Sequence, residues 1–196
     1  MKNKEIQEER IRSYFIEATK ELLKGEGLKV VNVRNIADRA GYSFATLYNY
    51  FKDVKDLIFE CVKDFQDECT KYVSSETKST PAGAEKIKAI TKAYVKYFIQ
   101  YPGIFELFFI EKTRDIANKQ PTIELIYTFL DRLCAEEWQY CIENKIIDVG
   151  KSEIMKNQLR YVITGLLFLY INRRHPSEYK EFNRLVNEQL DYMFAK

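Results

Sequence analysis

The sequence predicts an all-α protein: an N-terminal three-helix domain with a helix-turn-helix, then a larger C-terminal helical bundle, about nine helices in all. Three observations carry this prediction. Only seven glycines and four prolines interrupt 196 residues, so long stretches run without a breaker. Apolar residues recur at i, i+3, i+4 and i+7 through most of the chain, and no segment alternates with the period of two that a half-buried strand needs. Hydrophobic residues make up 46% and charged residues 31%, a composition that buries a core rather than staying disordered.

Each helix has a local reason. A first helix over about Glu5 to Lys24 places Ile11, Phe15, Ala18 and Leu22 on one face, and Gly25-Glu26-Gly27 ends it. Asn32 caps a short second helix whose apolar positions are Val33, Ile36, Ala37 and Ala40. Gly41 stands where that helix stops, because glycine takes a left-handed cap without steric cost. Ser43 then caps a third helix over Phe44 to Phe51. A fourth, from near Asp53 to about Val73, carries Leu57, Cys61, Phe65, Cys69 and Tyr72 on one stripe. Ser74 to Gly83 is the most linker-like stretch in the chain. Beyond it, Ile87, Ile90, Tyr94, Phe98 and Tyr101 mark a fifth helix, and Pro102-Gly103 separates it from a sixth over Ile104 to Glu111. Pro121 starts a seventh that runs through Trp138 to Cys141, and two helices with wide apolar faces follow, about Ser152 to Arg173 and Ser177 to Phe194.

Charge and reactive residues exclude several classes of function. Lys+Arg 31 against Asp+Glu 29 leaves a net charge of +2, which argues against indiscriminate coating of nucleic acid but permits a local basic patch. Lys29, Arg34, Arg39, Lys52 and Lys55 form such a patch, opposed only by Asp38 and Asp53. Cys61, Cys69, Cys134 and Cys141 form no CxxC pair and read as reduced core residues. The single histidine, His175, excludes any two-histidine metal site. Gly41-Tyr42-Ser43-Phe44-Ala45 is similar to a nucleophile elbow, but Ala45 replaces its last glycine and no strand precedes it. No catalytic constellation, metal or cofactor is expected, so the chain reads as a non-enzyme. No apolar run approaches the roughly 18 residues of a membrane span, and Met1 to Arg12 is charged throughout with no secretory core. A soluble cytoplasmic protein is expected.

Function concentrates between Asn32 and Leu57. There Ile36-Ala37-Asp38-Arg39-Ala40-Gly41 is followed by the capping Ser43, by Leu47-Tyr48-Asn49-Tyr50-Phe51, and by Lys52-Asp53-Val54-Lys55-Asp56-Leu57. Leu47 and Phe51 lie four apart and can anchor an inner face, while Thr46, Asn49 and Tyr50 remain to face a groove. This combination, over roughly residues 10 to 57, resembles the DNA-binding signature of bacterial TetR-family transcriptional regulators. The resemblance implies that Ser43, Tyr48 and Lys55 contact phosphates, with Arg34, Tyr42 and Lys52 nearby, contacts that position a protein without reading sequence. Many relatives carry a basic residue and glycine where this chain has Phe44-Ala45, and histidine where it has Asn49. Phe44 can touch a thymine methyl or pack inside, and Asn49 can pair bidentately with adenine, so an A·T-rich operator is expected. The expected domains are 1–55 for DNA binding and 56–196 for ligand binding and dimerisation.

In such regulators the C-terminal helices enclose a small-molecule pocket. Here Tyr94, Tyr97, Phe98, Phe105, Phe108, Tyr127 and Trp138 are candidate lining residues, with Glu106, Glu111 or Glu137 as counter-charges. Aromatics at helical spacing are also what a core is made of. Leu166, Leu167 and Tyr170 on one helix, and Phe182, Leu185, Val186, Gln189 and Met193 on the next, are candidates for a homodimer interface, with Gly165 permitting close approach. The alternative is that these residues close their own domain. The expected partners are a pseudo-palindromic operator in double-stranded DNA, a second copy of the chain and an unidentified small-molecule effector, with no membrane. The expected outcome is a homodimeric repressor released by an apolar or aromatic ligand. The alternative is a DNA-binding regulator controlled by a protein partner.

Overall fold

A computed structural model describes residues 2–110 and 120–195. Among them the regular structure is eleven α-helices and one 3-10 turn, with no strand. The described chain forms two compact units, one of residues 1–68 and 101–126, the other of 69–100 and 127–196.

The first unit holds α1 (Lys2–Gly25), the 3-10 turn Leu28–Val30, α2 (Val33–Ala40), α3 (Phe44–Leu47), the start of α4 (Val54–Glu76), α6 (Pro102–Phe109) and most of α7 (Gln120–Tyr127). Phe15, Ala18, Leu22, Ile36, Leu47, Phe51 and Leu57 make one buried cluster. The capping residues do what their chemistry suggests. Asn32 Oδ1 accepts from the backbone N–H groups of Arg34 and Asn35, both at 3.1 Å. Gly41 closes α2 at φ 75°, in the left-handed region. The N–H of Tyr42 then reaches Ala37 O at 3.0 Å, which satisfies a carbonyl the helix end would orphan. α6 packs on the end of α1 through Gly103, where an added Cβ would stand 2.2 Å from Leu23 O.

The second unit holds the end of α4, α5 (Ala84–Gln100), α8 (Phe129–Leu133), α9 (Ala135–Glu143), α10 (Val149–Ile171) and α11 (Tyr179–Met193). Tyr94, Phe98, Phe129, Trp138, Leu159, Ile163, Leu167, Phe182, Val186 and Leu190 are its buried core. Tyr170 stacks on Phe182 with ring centroids 4.4 Å apart, fastening α10 to α11.

Three details differ from the sequence reading. The expected seventh helix is three short ones, because Thr128 (ψ 4°) and Cys134 (ψ 3°) leave helical geometry with no glycine or proline to announce it. The expected third helix is regular only to Leu47, and residues 48–50 continue as turns. The linker-like stretch is tied down: α4 runs to Glu76, Thr77 is buried with its hydroxyl on Val73 O at 2.9 Å, and Gly83 N donates to Glu137 Oε2 at 2.7 Å. Glu111, the expected end of the sixth helix and a candidate counter-charge, lies outside the described residues.

All four cysteines are free and buried. Burial pushes the thiol of Cys69 up to about 12 and raises those of Cys61, Cys134 and Cys141 as well. No described helix is long and apolar enough to cross a membrane. Among the described residues, no group of three or more His, Cys, Asp and Glu gathers as a metal site would.

Candidate nucleic-acid interface

The surface built by α2, α3 and the turns after it separates the candidate contacts by depth. Leu47 and Phe51 are buried and hold the segment to the core. Arg34, Ser43, Phe44, Tyr48, Asn49, Lys52 and Lys55 are exposed, whereas Tyr42, Thr46 and Tyr50 are half-buried. Phe44 is 59% exposed and Tyr48 52% exposed. Of the two roles open to Phe44 the structure therefore takes the outward one, available to a thymine methyl.

Two tyrosines are anchored by their rings. Tyr42 stacks at 6.1 Å on Tyr14 and lies 5.5 Å from Phe15, and Tyr50 lies 6.3 Å from Phe15. Such rings hold a fixed position, which is what a phosphate contact needs. Ser43 spends part of its hydrogen-bonding capacity on structure: its Oγ accepts from Thr46 N at 3.1 Å and lies 2.9 Å from Thr46 Oγ1. Ser43 and Thr46 thus fix the start of α3 as a pair.

The cations also divide. Among the described residues Arg34 and Lys52 form no ion pair, and both are exposed. Arg39 is committed internally, to Glu26 at 2.7 Å and Glu21 at 3.5 Å, and pins α2 to α1.

Behind this surface lies an ion network that sequence reasoning did not find. Lys20 of α1 reaches Glu17 at 2.9 Å, Glu68 at 3.0 Å and Asp64 at 3.3 Å, and Lys24 pairs with the other oxygen of Glu68. Burial works against the Lys20 charge, but the three carboxylates more than offset it and raise its pKa. Burial likewise opposes the Glu68 charge, and the two ammonium groups hold it below the ordinary carboxylate value. The acidic spacing of α4 at 64 and 68 was the available signal, but the partners lie 44 residues away in sequence.

Residues 15–61 match the family model described as bacterial regulatory proteins, tetR family. That segment carries the tetR-family domain. Solved structures share the chain's fold over nearly its whole length. A TetR-family transcription regulator from Marinobacter aquaeolei is 17% identical with a TM-score of 0.64, covering 97% of each chain. The transcriptional regulator FadR from Bacillus subtilis, solved in complex with stearoyl-CoA, is 16% identical with a TM-score of 0.74, over 93% of this chain and 97% of that one. The fatty acid degradation regulator FadR from Bacillus halodurans is 16% identical with a TM-score of 0.68, over 94% and 95%. No curated protein matches the chain. With that domain the chain is a DNA-binding transcriptional regulator of the TetR type.

The other candidate residues fall in several places. Tyr94, Tyr97, Phe98 and Trp138 are buried in the second unit and Tyr127 is 45% exposed there, while Phe105 and Phe108 are buried in the first. A cleft of about 570 Å3 in the second unit is lined by Ser74, Thr77, Lys78, Lys86, Arg132 and Glu136 among others, and by none of these seven aromatics. Glu137 is occupied by Gly83 N and by Lys86 at 3.3 Å. Leu167, Phe182 and Val186 are no more than 1% exposed. They join α10 to α11 within one chain and leave no surface for a second. Leu166, Tyr170, Leu185 and Met193 are half-buried, and Gln189 is exposed. The outward face of α10 is instead apolar: Ile154 is 60%, Tyr161 59% and Phe168 39% exposed, at seven-residue spacing, with Gly165 also exposed. That spacing was present in the sequence.

Proposed function

We propose that this TetR-family regulator is a homodimeric repressor that binds a pseudo-palindromic operator and leaves it when a small apolar or aromatic ligand binds. The observation that carries the reading is the outward display of Phe44, Tyr48 and Asn49 on the same segment as Arg34 and Lys52, which pair with no carboxylate among the described residues. Apolar and amide groups that can read base edges stand next to cations that can hold phosphate. Residues 1–55 bind DNA in this reading, and 56–196 carry ligand and dimer contacts.

Dimerisation is supported by the exposed stripe Ile154, Tyr161 and Phe168, since a row of apolar side chains at helical spacing is costly to leave in water. In this reading the contact along α10 is self-complementary, and the operator's half-sites lie about one helical turn of DNA, roughly 34–36 Å, apart. In this reading Leu185 and Gln189 of α11 add to the contact. Ligand control is supported by the fold shared with the Bacillus subtilis FadR solved with stearoyl-CoA. Linkage then requires that operator DNA weaken the ligand by the same factor by which the ligand weakens DNA.

Selection of bound sequences from a random DNA pool at moderate salt tests the reading. An enriched inverted repeat with half-sites one helical turn apart is expected. Only salt-sensitive, sequence-independent binding, persisting after the protein is unfolded and refolded free of small molecules, would overturn it.

A further inference from the structure

Tyr14 of α1 is 52% exposed, yet its ring lies nearly parallel to that of Tyr42, at 25° with centroids 6.1 Å apart. Tyr42 rests in turn on Phe15 of the buried cluster and directly precedes Ser43, the cap of α3. Tyr14 is therefore positioned by a ring already tied to the core. It carries the exposed surface of the α3 segment across the turn and onto α1.

The same flank of α1 continues toward its first turn. Residues at i, i+3 and i+7 share one face of a helix, and Gln7, Arg10 and Tyr14 stand in that relation. All three are exposed, and at 1.5 Å per residue they span about 10 Å. Arg10 pairs with no carboxylate among the described residues. The other arginine of α1 is spent internally: Arg12, on another face, reaches Glu60 at 3.0 Å and lies 4.9 Å over the Phe51 ring.

No carboxylate interrupts this flank between Gln7 and Tyr14. Glu5, Glu8 and Glu9 lie more than about 100° away around the helix. Beyond Tyr14, Glu17 is held by Lys20 at 2.9 Å and Glu21 by Arg39 at 3.5 Å. What remains is a guanidinium, an amide and a phenol in a row. Such groups hold phosphate and sugar oxygens in protein–DNA contacts. Each DNA strand presents a phosphate about every 3.4 Å along the axis, so a strip of this length can meet more than one.

We propose that Gln7, Arg10 and Tyr14 form a second DNA contact, on the phosphate backbone next to the stretch that the α3 segment meets. The Arg10 guanidinium neutralises a phosphate there, and the Gln7 amide and Tyr14 hydroxyl donate to phosphate or sugar oxygens. Continuity through the Tyr14–Tyr42 stack makes the occupant the same duplex. The strip adds affinity on every sequence and no base preference. This rests on DNA being the partner of the α3 segment.

Anisotropy of a labelled random-sequence duplex, titrated with the full-length protein over a salt series, provides the test. Arg10→Ala should weaken binding about threefold or more at low salt and lower the slope of log affinity against log salt by about 0.9. Tyr14→Phe keeps the ring stack and removes only the hydroxyl. It should weaken binding about threefold, with the salt slope and the thermal unfolding midpoint at their parent values. Lys180→Ala, at an exposed cation of α11, controls for the loss of net charge and should leave the slope unchanged. Lys52→Ala reports separately on the α3 segment. If Lys52→Ala lowers the slope while Arg10→Ala and Tyr14→Phe bind like the parent, the strip is overturned and binding through α3 stands. A slope for Arg10→Ala no lower than that of Lys180→Ala would overturn it equally. Tyr14→Phe at parent affinity would make the ring stack purely structural and overturn the assignment of Tyr14. If Lys52→Ala, Arg10→Ala and Tyr14→Phe all bind like the parent, the strip and the α3 surface fail together.

Discussion

Gly103 lies against the carbonyl of Leu23 so closely that a methyl group in place of its hydrogen would stand 2.2 Å from that oxygen and 2.9 Å from Gly27 Cα. Both neighbours are backbone, so no side chain can swing aside to make room. Gly103→Ala should therefore separate α6 from the end of α1 and destabilise the protein by about 1–3 kcal/mol, the usual cost of overpacking. Urea denaturation followed by circular dichroism would check this. An unchanged midpoint would mean that the two helices part freely.

Contacts to phosphate and contacts to bases should separate by mutation. Tyr48→Phe and Lys55→Ala should weaken binding to every DNA sequence alike, and Lys55→Ala should lower the slope of log affinity against log salt by about 0.9. Asn49→Ala should instead leave nonspecific affinity near the parent value and relax the base preference by about 1–3 kcal/mol at one position of each half-site. Fluorescence anisotropy on operator and scrambled duplexes over a salt series measures all three.

Lys20 and Glu68 make stability depend on pH in opposite directions. The Glu68 carboxyl is held below its ordinary value of 4.5. Its contribution is therefore present above that value and is lost as the pH falls through the lower folded-state value. The Lys20 ammonium is raised above 10.5, so its contribution is complete below 10.5 and fades only in stronger alkali. Lys20→Met should cost about 1–3 kcal/mol near neutrality, discounted for the water around the carboxylates. The gap between parent and variant should narrow as the pH drops below 4.5. A gap that stays constant to pH 3 would show that the carboxylates draw nothing from Lys20.

If the outward face of α10 joins two copies, Tyr161→Glu should bury a charge at the centre of the contact and yield a monomer in sedimentation at micromolar concentration. The same substitution should reduce affinity for a two-half-site operator at least tenfold while leaving affinity for a single half-site unchanged. Tyr192→Glu on α11, at a side chain already 85% exposed, serves as the neutral comparison.

What could be read before the structure follows from the range of the forces involved. Asn32, Gly41 and Ser43 announce helix ends because their chemistry acts within three or four residues, and the first three helices were legible for that reason. Leu47 and Phe51 were legible as an inner face from spacing alone. Thr128 and Cys134, which break the segment after residue 120, carry no local signal, since both residues are common inside helices. The two sides of α10 could not be told apart in the sequence, because the helix is apolar on more than one side. Leu167 and Phe168 are adjacent and equally hydrophobic, and only packing against α11 assigns the first to the interior. The Lys20 network and the Asp131–Arg160 pair join distant segments, which periodicity does not address. Tyr42 and Tyr50 were legible as candidate contacts, but their anchoring on Phe15 became visible only with three helices in place.

The four buried thiols have a practical corollary for observing the regulator at work. Each is shielded from solvent and held protonated near neutral pH by its surroundings, so none should compete for a maleimide while the fold is intact. A cysteine introduced at an exposed position such as Lys52 would then be the single fast-reacting thiol in the molecule. A dye attached there would report, within the otherwise native chain, when the recognition surface meets DNA and when it lets go.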